Sequence, residues 1–359
     1  MTVSTPTQSI VIAGASDVAK YLIEELVASS PSNPPHIGVL TRSLSNRPWF
    51  TSNPHISLHV TDYSAPSIQS ILNQTKATAL FSFLHSNDPA FYNTAHEAML
   101  MACRNSETCK RFVPSDYGGD IDRFPNLPRF YNSTHRVFRE SITDERDVEW
   151  TLVNGGWFMD YIVQGNKVDP TIVPYKPATR GPSEAAKPVM LPRDLDTSKV
   201  RSYMKPLPGV WPLDLDTFTA MRLGTGEEPI GWTSARDVAR ALVKLLDAPR
   251  GSWEKHTYVV GQVGTWNEAI QIAEEFYGRK FELKEKTKES ILETLRTEDS
   301  LGPAERGVAY MDEWNVMGAS AVPMDRVQEQ RKRFFSDVQF RGLRQLLEDA
   351  FSEESDRMV

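Results

Sequence analysis

Cysteine is nearly absent: Cys103 and Cys109 are the only two in 359 residues. Two thiols are too few for a disulfide framework or a thiolate metal site, and both read as free thiols in a reducing compartment. No apolar run is long enough to span a bilayer, and the opening stretch MTVSTPTQS lacks the basic-then-apolar layout of a signal peptide. The expectation is a cytoplasmic protein without a membrane partner. Nor is there a dense Lys/Arg run; 40 basic residues against 47 acidic ones leave a formal net charge of −7, which argues against a nucleic-acid surface. None of the 7 histidines forms a ligand-spaced pair with a carboxylate, so no metal is expected.

What is present is an ordinary core-forming composition, 40% hydrophobic and 24% charged, long enough for one large domain or two unequal lobes. The stretch Gln8 to Leu26, QSIVIAGASDVAKYLIEEL, organises the chain. A β-branched run ends at Gly14, and Val18, Leu22, Glu25 and Leu26 then recur at helical spacing, which predicts strand, tight turn and helix. Such a turn at the carboxyl end of a central strand offers free N–H groups to a pyrophosphate. Glycine is scarce there, however. A G-x-x-G-x-x-G turn would have glycine at 14, 17 and 20, and this chain has Gly14, Asp17 and Lys20. Asp17 opposes a pyrophosphate unless it caps the helix and turns away, and Lys20 offsets part of its charge. A strand-loop-helix with no nucleotide site is the competing reading.

Further strands are predicted at His36 to Thr41, Ile56 to Val60 and Ala79 to Leu84, with a long helix from Pro89 to Cys103. This rhythm predicts a doubly wound parallel sheet. At the tip of the second strand Arg42 has no acidic neighbour, and an arginine there suits a 2′-phosphate, hence NADP rather than NAD; a solvated loop arginine is the alternative. His96 on the long helix reads as a surface or capping histidine. Tyr161 to Pro229 lacks periodicity and alone would pass for a linker. Arg326 to Phe351 has helical spacing and should pack down, with SEESDRMV fraying.

The string KRFVPSDYGG, Lys110 to Gly119, resembles the F-V-P-S-[DE]-[FY]-G strand end of the isoflavone-reductase-like, NmrA-like branch of atypical short-chain dehydrogenases. GASDVAKYL, VLTR, VEWTLVNGGWFMDY, GWTSARDVARALVKLL and the helix from Trp266 follow in that family's order, so the resemblance covers roughly residues 8 to 295. It implies an α/β fold, a doubly wound parallel Rossmann sheet with a smaller α+β substrate lobe. Residues 1–160 would bind NADP(H) and 161–359 would form most of the substrate lobe, with segments around 230–262 returning to the sheet. Cofactor contacts are expected at Gly14, Ala15, Ser16, Asp17, Val18, Arg42, Asp62, Leu84, His85, Pro114 and Ser115, and a substrate pocket at Tyr117, Trp157, Phe158 and Tyr161.

Where the family carries a catalytic lysine in K-x-x-x-R, HRVFRESI puts His135, with Arg139 on the arginine. Tyr131 stands one helical turn earlier, so Y-x-x-x-H replaces Y-x-x-x-K. A lysine would hold a fixed charge, whereas a histidine can give or take the proton itself. The catalytic candidates are therefore His135, Tyr131 and Ser115, although His135 also reads as a helix-surface residue, Tyr131 as a packed aromatic and Ser115 as a turn residue. The leading expectation is an NADPH-dependent reductase of an aromatic or polyketide-like secondary metabolite, acting on C=O, C=N or activated C=C. A non-redox isomerase, dehydratase or cyclase, and an NmrA-like dinucleotide-sensing regulator, are the alternatives.

Overall fold

The computed structural model describes residues 8–164, 169–179, 199–352 and 355–359. Strand β1 (Ser9–Ala13) is buried along its whole length, as a β-branched run in the middle of a parallel sheet must be. Ile10 and Ile12 point into one core with Leu22 and Leu242, and Val11 and Ala13 into a second with Leu40, Leu72 and Met99. The sheet is therefore sandwiched between two helical layers.

The chain passes from β1 into α1 (Asp17–Ser29), then β2 (His36–Thr41), the single turn α2 (Pro48–Thr51), β3 (Ile56–Val60), α3 (Ala65–Thr75), β4 (Ala79–Ser82) and α4 (Pro89–Asn105). Ser16, Ser64 and Asp88 supply the side-chain caps that start α1, α3 and α4. After β5 (Arg111–Val113) come β6 (Tyr117–Gly118), α5 (His135–Ile142), β7 (Glu149–Trp150), β8 (Leu152–Asn154) and β9 (Trp157–Phe158). Strands β3-β2-β1-β4-β5-β7 form a six-stranded parallel sheet, so β1 and β4 flank the point where strand order reverses.

The remainder comprises β10 (Leu213–Asp214), β11 (Thr219–Leu223), β12 (Ile230–Thr233), α6 (Ala235–Asp247), β13 (His256–Tyr258), β14 (Gln262–Gly264), α7 (Trp266–Tyr277), β15 (Glu282–Lys286), α8 (Lys288–Arg296), α9 (Pro303–Val316), α10 (Met324–Phe334) and α11 (Leu343–Ala350). Within it, β13 lies parallel to β8, which follows β7 after Thr151, and α6 packs on α1. Strands β10, β11 and β15 form one small sheet, and β14, β12 and β9 another. Part of the proline-rich stretch expected as linker or substrate-lobe structure, 165–168 and 180–198, lies outside the described residues, as does the N-terminal stretch 1–7.

Two readings are corrected. The last residues do not fray: Val359 is 3% exposed and its N–H donates to the Arg201 carbonyl at 2.9 Å, while Arg236 Nε donates to the Met358 carbonyl at 2.8 Å. Helical spacing missed this because the tail is held outside any helix, by its backbone and by Arg357 on Glu25 and Asp356 on Thr179 (353 and 354 lie outside the described residues). Trp211, Trp232 and Trp266, scattered in sequence, meet Trp157 and Trp314 in one aromatic core, where Asn315 Oδ1 accepts both the Trp157 and the Trp266 indole N–H. Trp157 therefore packs inside the smaller core rather than along an open wall.

Candidate active site

Gly14 turns with φ +96°, a conformation L side chains rarely adopt, and its N–H donates to the Leu40 carbonyl at 3.1 Å. A Cβ there would sit 3.0 Å from the Leu84 nitrogen and the Phe83 carbonyl, so only glycine lets β1 pass this close to the end of β4. Ala15 and Ser16 complete the turn, Ser16 accepting from the Ala19 N–H at 3.4 Å, and Asp17 and Val18 open α1. Lys20 Nζ lies 3.0 Å from Asp17 Oδ1, so the two residues replacing glycines neutralise each other.

Arg42 is exposed at the tip of β2, its guanidinium 4.6 Å from the centre of the Phe91 ring. Sequence reading missed its neighbour: Arg47 Nη1 donates to the Ala15 carbonyl at 2.6 Å and Nε to the Ser43 carbonyl at 3.2 Å, bracing the turn from outside. The signal for it was a second arginine five residues on. Asp62 is exposed and accepts from the Ser64 N–H at 2.9 Å, ordering the loop into α3. Leu84 is buried against the turn and His85 exposed beside it.

Beyond β5 four rings stack in one column, His96, Tyr92, His135 and Tyr131, with successive centroids 4.0, 4.4 and 3.6 Å apart. Two tyrosine–histidine pairs spaced four apart, one on α4 and one spanning the start of α5, stack end to end through Tyr92 and His135. His96 is fully buried rather than at the surface as expected. Its Nδ1 bonds the Tyr92 carbonyl at 2.9 Å, and its Nε2 receives the Ser115 N–H at 3.3 Å and lies 3.1 Å from Ser82 Oγ. Burial drives its pKa down to about 4, so it is a neutral strut. Tyr92 Oη donates to the Ser115 carbonyl at 2.7 Å, so the Pro114-Ser115 corner is gripped at both backbone groups from α4. Among the described residues nothing bonds the Ser115 hydroxyl.

His135 is also buried, and its pKa is held well below the usual value, first by burial and then by the nearby charges of Arg139, His96 and His85. Arg139 is committed to Asp116, Nε to Oδ2 at 2.5 Å and Nη2 to Oδ1 at 3.1 Å. Tyr131 keeps its proton, because burial raises the phenol pKa and Asp116 adds to the rise. Tyr117 stacks on Phe83 at 5.1 Å and donates to the Ser82 carbonyl at 3.2 Å. Phe158 packs on the sheet core, and the half-buried Tyr161 keeps its phenol proton, its pKa raised first by burial and then by Asp160, Asp17 and Tyr131.

One group escaped the sequence reading altogether. Asp160 is completely buried, Oδ2 accepting the Ala235 N–H at 2.9 Å and Oδ1 without a hydrogen bond, and burial pushes its pKa up to about 7. A carboxylate among aromatics in WFMDY was the available signal. A cavity of about 610 Å³ lies at the amino end of β1 between α1 and α6, away from these groups. Among the described residues no group of His, Cys, Asp and Glu could hold a metal, and no helix is long and apolar enough to cross a membrane.

A parallel sheet with a tight turn at its order reversal is a Rossmann-like α/β fold. No family model matches the chain. The "oxidoreductase swnR" of Metarhizium robertsii is 31% identical over 336 residues, covering 93% of this chain and 95% of the relative. Among solved structures, the pinoresinol–lariciresinol and phenylcoumaran benzylic ether reductases match with TM-score 0.63 at 15% identity, over 96% of this chain and 99% of theirs. AtPrR2, solved with NADP+ and (+)pinoresinol, matches with TM-score 0.61 at 13% identity, over 96% and 99%. The chain belongs to the family of the swnR oxidoreductase, and its fold is that of isoflavone reductase, matched with TM-score 0.61 at 16% identity over 95% of this chain and 98% of that one.

Proposed function

We propose that this protein is an NADPH-dependent reductase of a small aromatic or polyketide-like metabolite, working in the cytosol, with residues 1–160 holding the cofactor and most of 161–359 the substrate. The observation that carries the reading is the stack of half-buried Tyr131 on buried His135, two proton-bearing groups where the family has its lysine.

The turn suits a dinucleotide. Gly14 leaves room no side chain could share, the start of α1 presents its amides, and Asp17 is balanced by Lys20. Ala15 to Val18 would hold the pyrophosphate, Arg42 with Arg47 the 2′-phosphate, and Asp62, Leu84, His85, Pro114 and Ser115 the remaining rim. When bound, the cofactor supplies hydride.

The chain's own groups handle the proton. Tyr131, whose phenol stays protonated, donates to the oxygen or carbon that gains charge, and Ser115 Oγ hydrogen-bonds it. His135, neutral and stacked on Tyr131, exchanges the proton. Tyr117, Phe158 and Tyr161 line the approach, and their faces favour a flat apolar substrate. A second reading, a proton-transfer enzyme without net redox, is favoured by the neutral imidazole, which is a base at physiological pH.

The test is NADPH absorbance loss on candidate aromatic ketones and enones with wild type and His135→Ala. Substrate-dependent loss that falls about a hundredfold or more in the variant supports the reductase. Substrate conversion without NADPH loss selects the second reading, and unchanged turnover in His135→Ala removes His135 from the chemistry.

A further inference from the structure

Thr134 stands at the N-cap of α5 but does not cap it: no backbone N–H of the first turn reaches its side chain. A threonine in that position ordinarily accepts such a bond, which stabilises the helix by about 1 kcal/mol. Here the hydroxyl is diverted. Oγ1 donates to the Phe130 carbonyl at 3.1 Å and lies 2.9 Å from His135 Nδ1. A hydroxyl has one proton, and with that proton on Phe130 the oxygen can only accept at Nδ1. Nδ1 must then carry the imidazole hydrogen, which leaves the lone pair on Nε2.

We propose that Thr134 is a positioning residue that locks His135 in the Nδ1–H tautomer and so makes Nε2 the nitrogen that receives a proton at the reaction centre. The inference rests on the reading of His135 as the proton-transfer group. The step itself is a proton transfer. The O–H or C–H bond of the substrate breaks, Nε2–H forms, the electron pair stays on the substrate and the positive charge resides on the imidazolium. In the opposite direction Nε2–H returns the proton, and the neutral Nδ1–H form is restored.

The surroundings support an imidazole set to accept. Tyr131 and Tyr92 cover its two faces, and Thr134 is 4% exposed, so water does not compete for Nδ1. Of the charged and titratable groups facing the ring, Arg139 comes from its own helix, His96 and Tyr92 from α4 and His85 from beyond β4, while Asp116 acts through Arg139. Burial and Arg139 disfavour imidazolium, so the ring rests neutral with its Nε2 lone pair free.

The experiment is two-bond 1H–15N correlation NMR of the full chain labelled at histidine nitrogens, with the His135 signals assigned by their loss in His135→Gln. Wild type should show the Nδ1–H pattern, Thr134→Val should lose it or mix tautomers, and Thr134→Ser should restore it. In the pH profile of NADPH turnover, Thr134→Val should lower kcat about tenfold at neutral pH with KM unchanged, and Thr134→Ser should stay near wild type. An Nε2–H pattern in wild type overturns the proposal, as does an unaltered Nδ1–H pattern in Thr134→Val. The wild-type spectrum needs neither a stable variant nor turnover, so it decides the tautomer even if no reductase activity is found, and an absence of turnover alone counts against the functional reading instead.

Discussion

Lys20 Nζ and Asp17 Oδ1 lie 3.0 Å apart, and the lysine is only 3% exposed. These residues occupy the second and third glycine positions of a dinucleotide turn, and their pairing removes the charge that would repel a pyrophosphate. Lys20→Met should therefore weaken NADPH binding about tenfold, measured by titration, by leaving the carboxylate unbalanced. Asp17→Asn should instead leave a buried ammonium short of its partner and lower stability by about 1–3 kcal/mol in thermal or urea unfolding. Unchanged affinity in Lys20→Met would mean that Asp17 does not face the ligand.

Arg42 and Arg47 should separate in their effects. Arg42 lies over the Phe91 ring and makes no ion pair among the described residues, so Arg42→Ala should cost about 1.5–3 kcal/mol of NADPH affinity and leave NADH nearly unaffected. Arg47 also braces the Ala15 carbonyl, so Arg47→Ala should weaken both nucleotides. Equal losses for NADPH and NADH in Arg42→Ala would count against the 2′-phosphate assignment.

Two buried groups bend the stability-versus-pH curve in opposite directions. Asp160, raised to about 7 by burial, holds a proton that the unfolded chain has released, so its contribution is fully present below pH 4 and is lost as pH rises to about 7. His96, lowered to about 4 by burial, stays neutral while the unfolded chain charges, so its contribution is present above about pH 6.5 and is lost as pH falls toward 4. Asp160→Asn should abolish the first slope and raise stability at pH 8 relative to pH 5, exposing the slope of the buried histidines His96 and His135. Urea unfolding of both proteins across this range reads the difference.

The C-terminal tail should be integral to the fold. Arg236 is 1% exposed and binds Glu24, Glu25 and the Met358 carbonyl. Arg236→Met leaves Glu25 to Arg357 and Arg240 and Glu24 to the Tyr203 hydroxyl, and should cost about 1–3 kcal/mol. Removing Val359 alone forfeits one buried side chain and should cost about 1.5–3 kcal/mol. A truncation that melted like wild type would show that the tail is only draped on the surface.

Much of the sheet was readable from local pattern. Ile10 to Ala13, His36 to Thr41 and Ile56 to Val60 are β-branched or apolar runs with turn residues at both ends, and they appear as β1, β2 and β3. The long helix from Pro89 was equally plain, since proline at its first position and Asp88 before it announce a start. The smaller lobe was harder, because its strands are two to five residues long and their pairing partners lie far away in sequence.

What the sequence determined by itself was periodicity: strands, helices, a turn with one indispensable glycine, and a tyrosine one helical turn before a histidine. What only the tertiary structure decided was which faces meet. Spacing of four puts Tyr92 with His96 and Tyr131 with His135, but nothing local says that the two pairs stack end to end, that His96 is buried, or that Thr134 gives up its cap to hold an imidazole. Burial and hydrogen-bond partners are set by elements distant in the chain, and those partners fix the protonation states on which the chemistry depends.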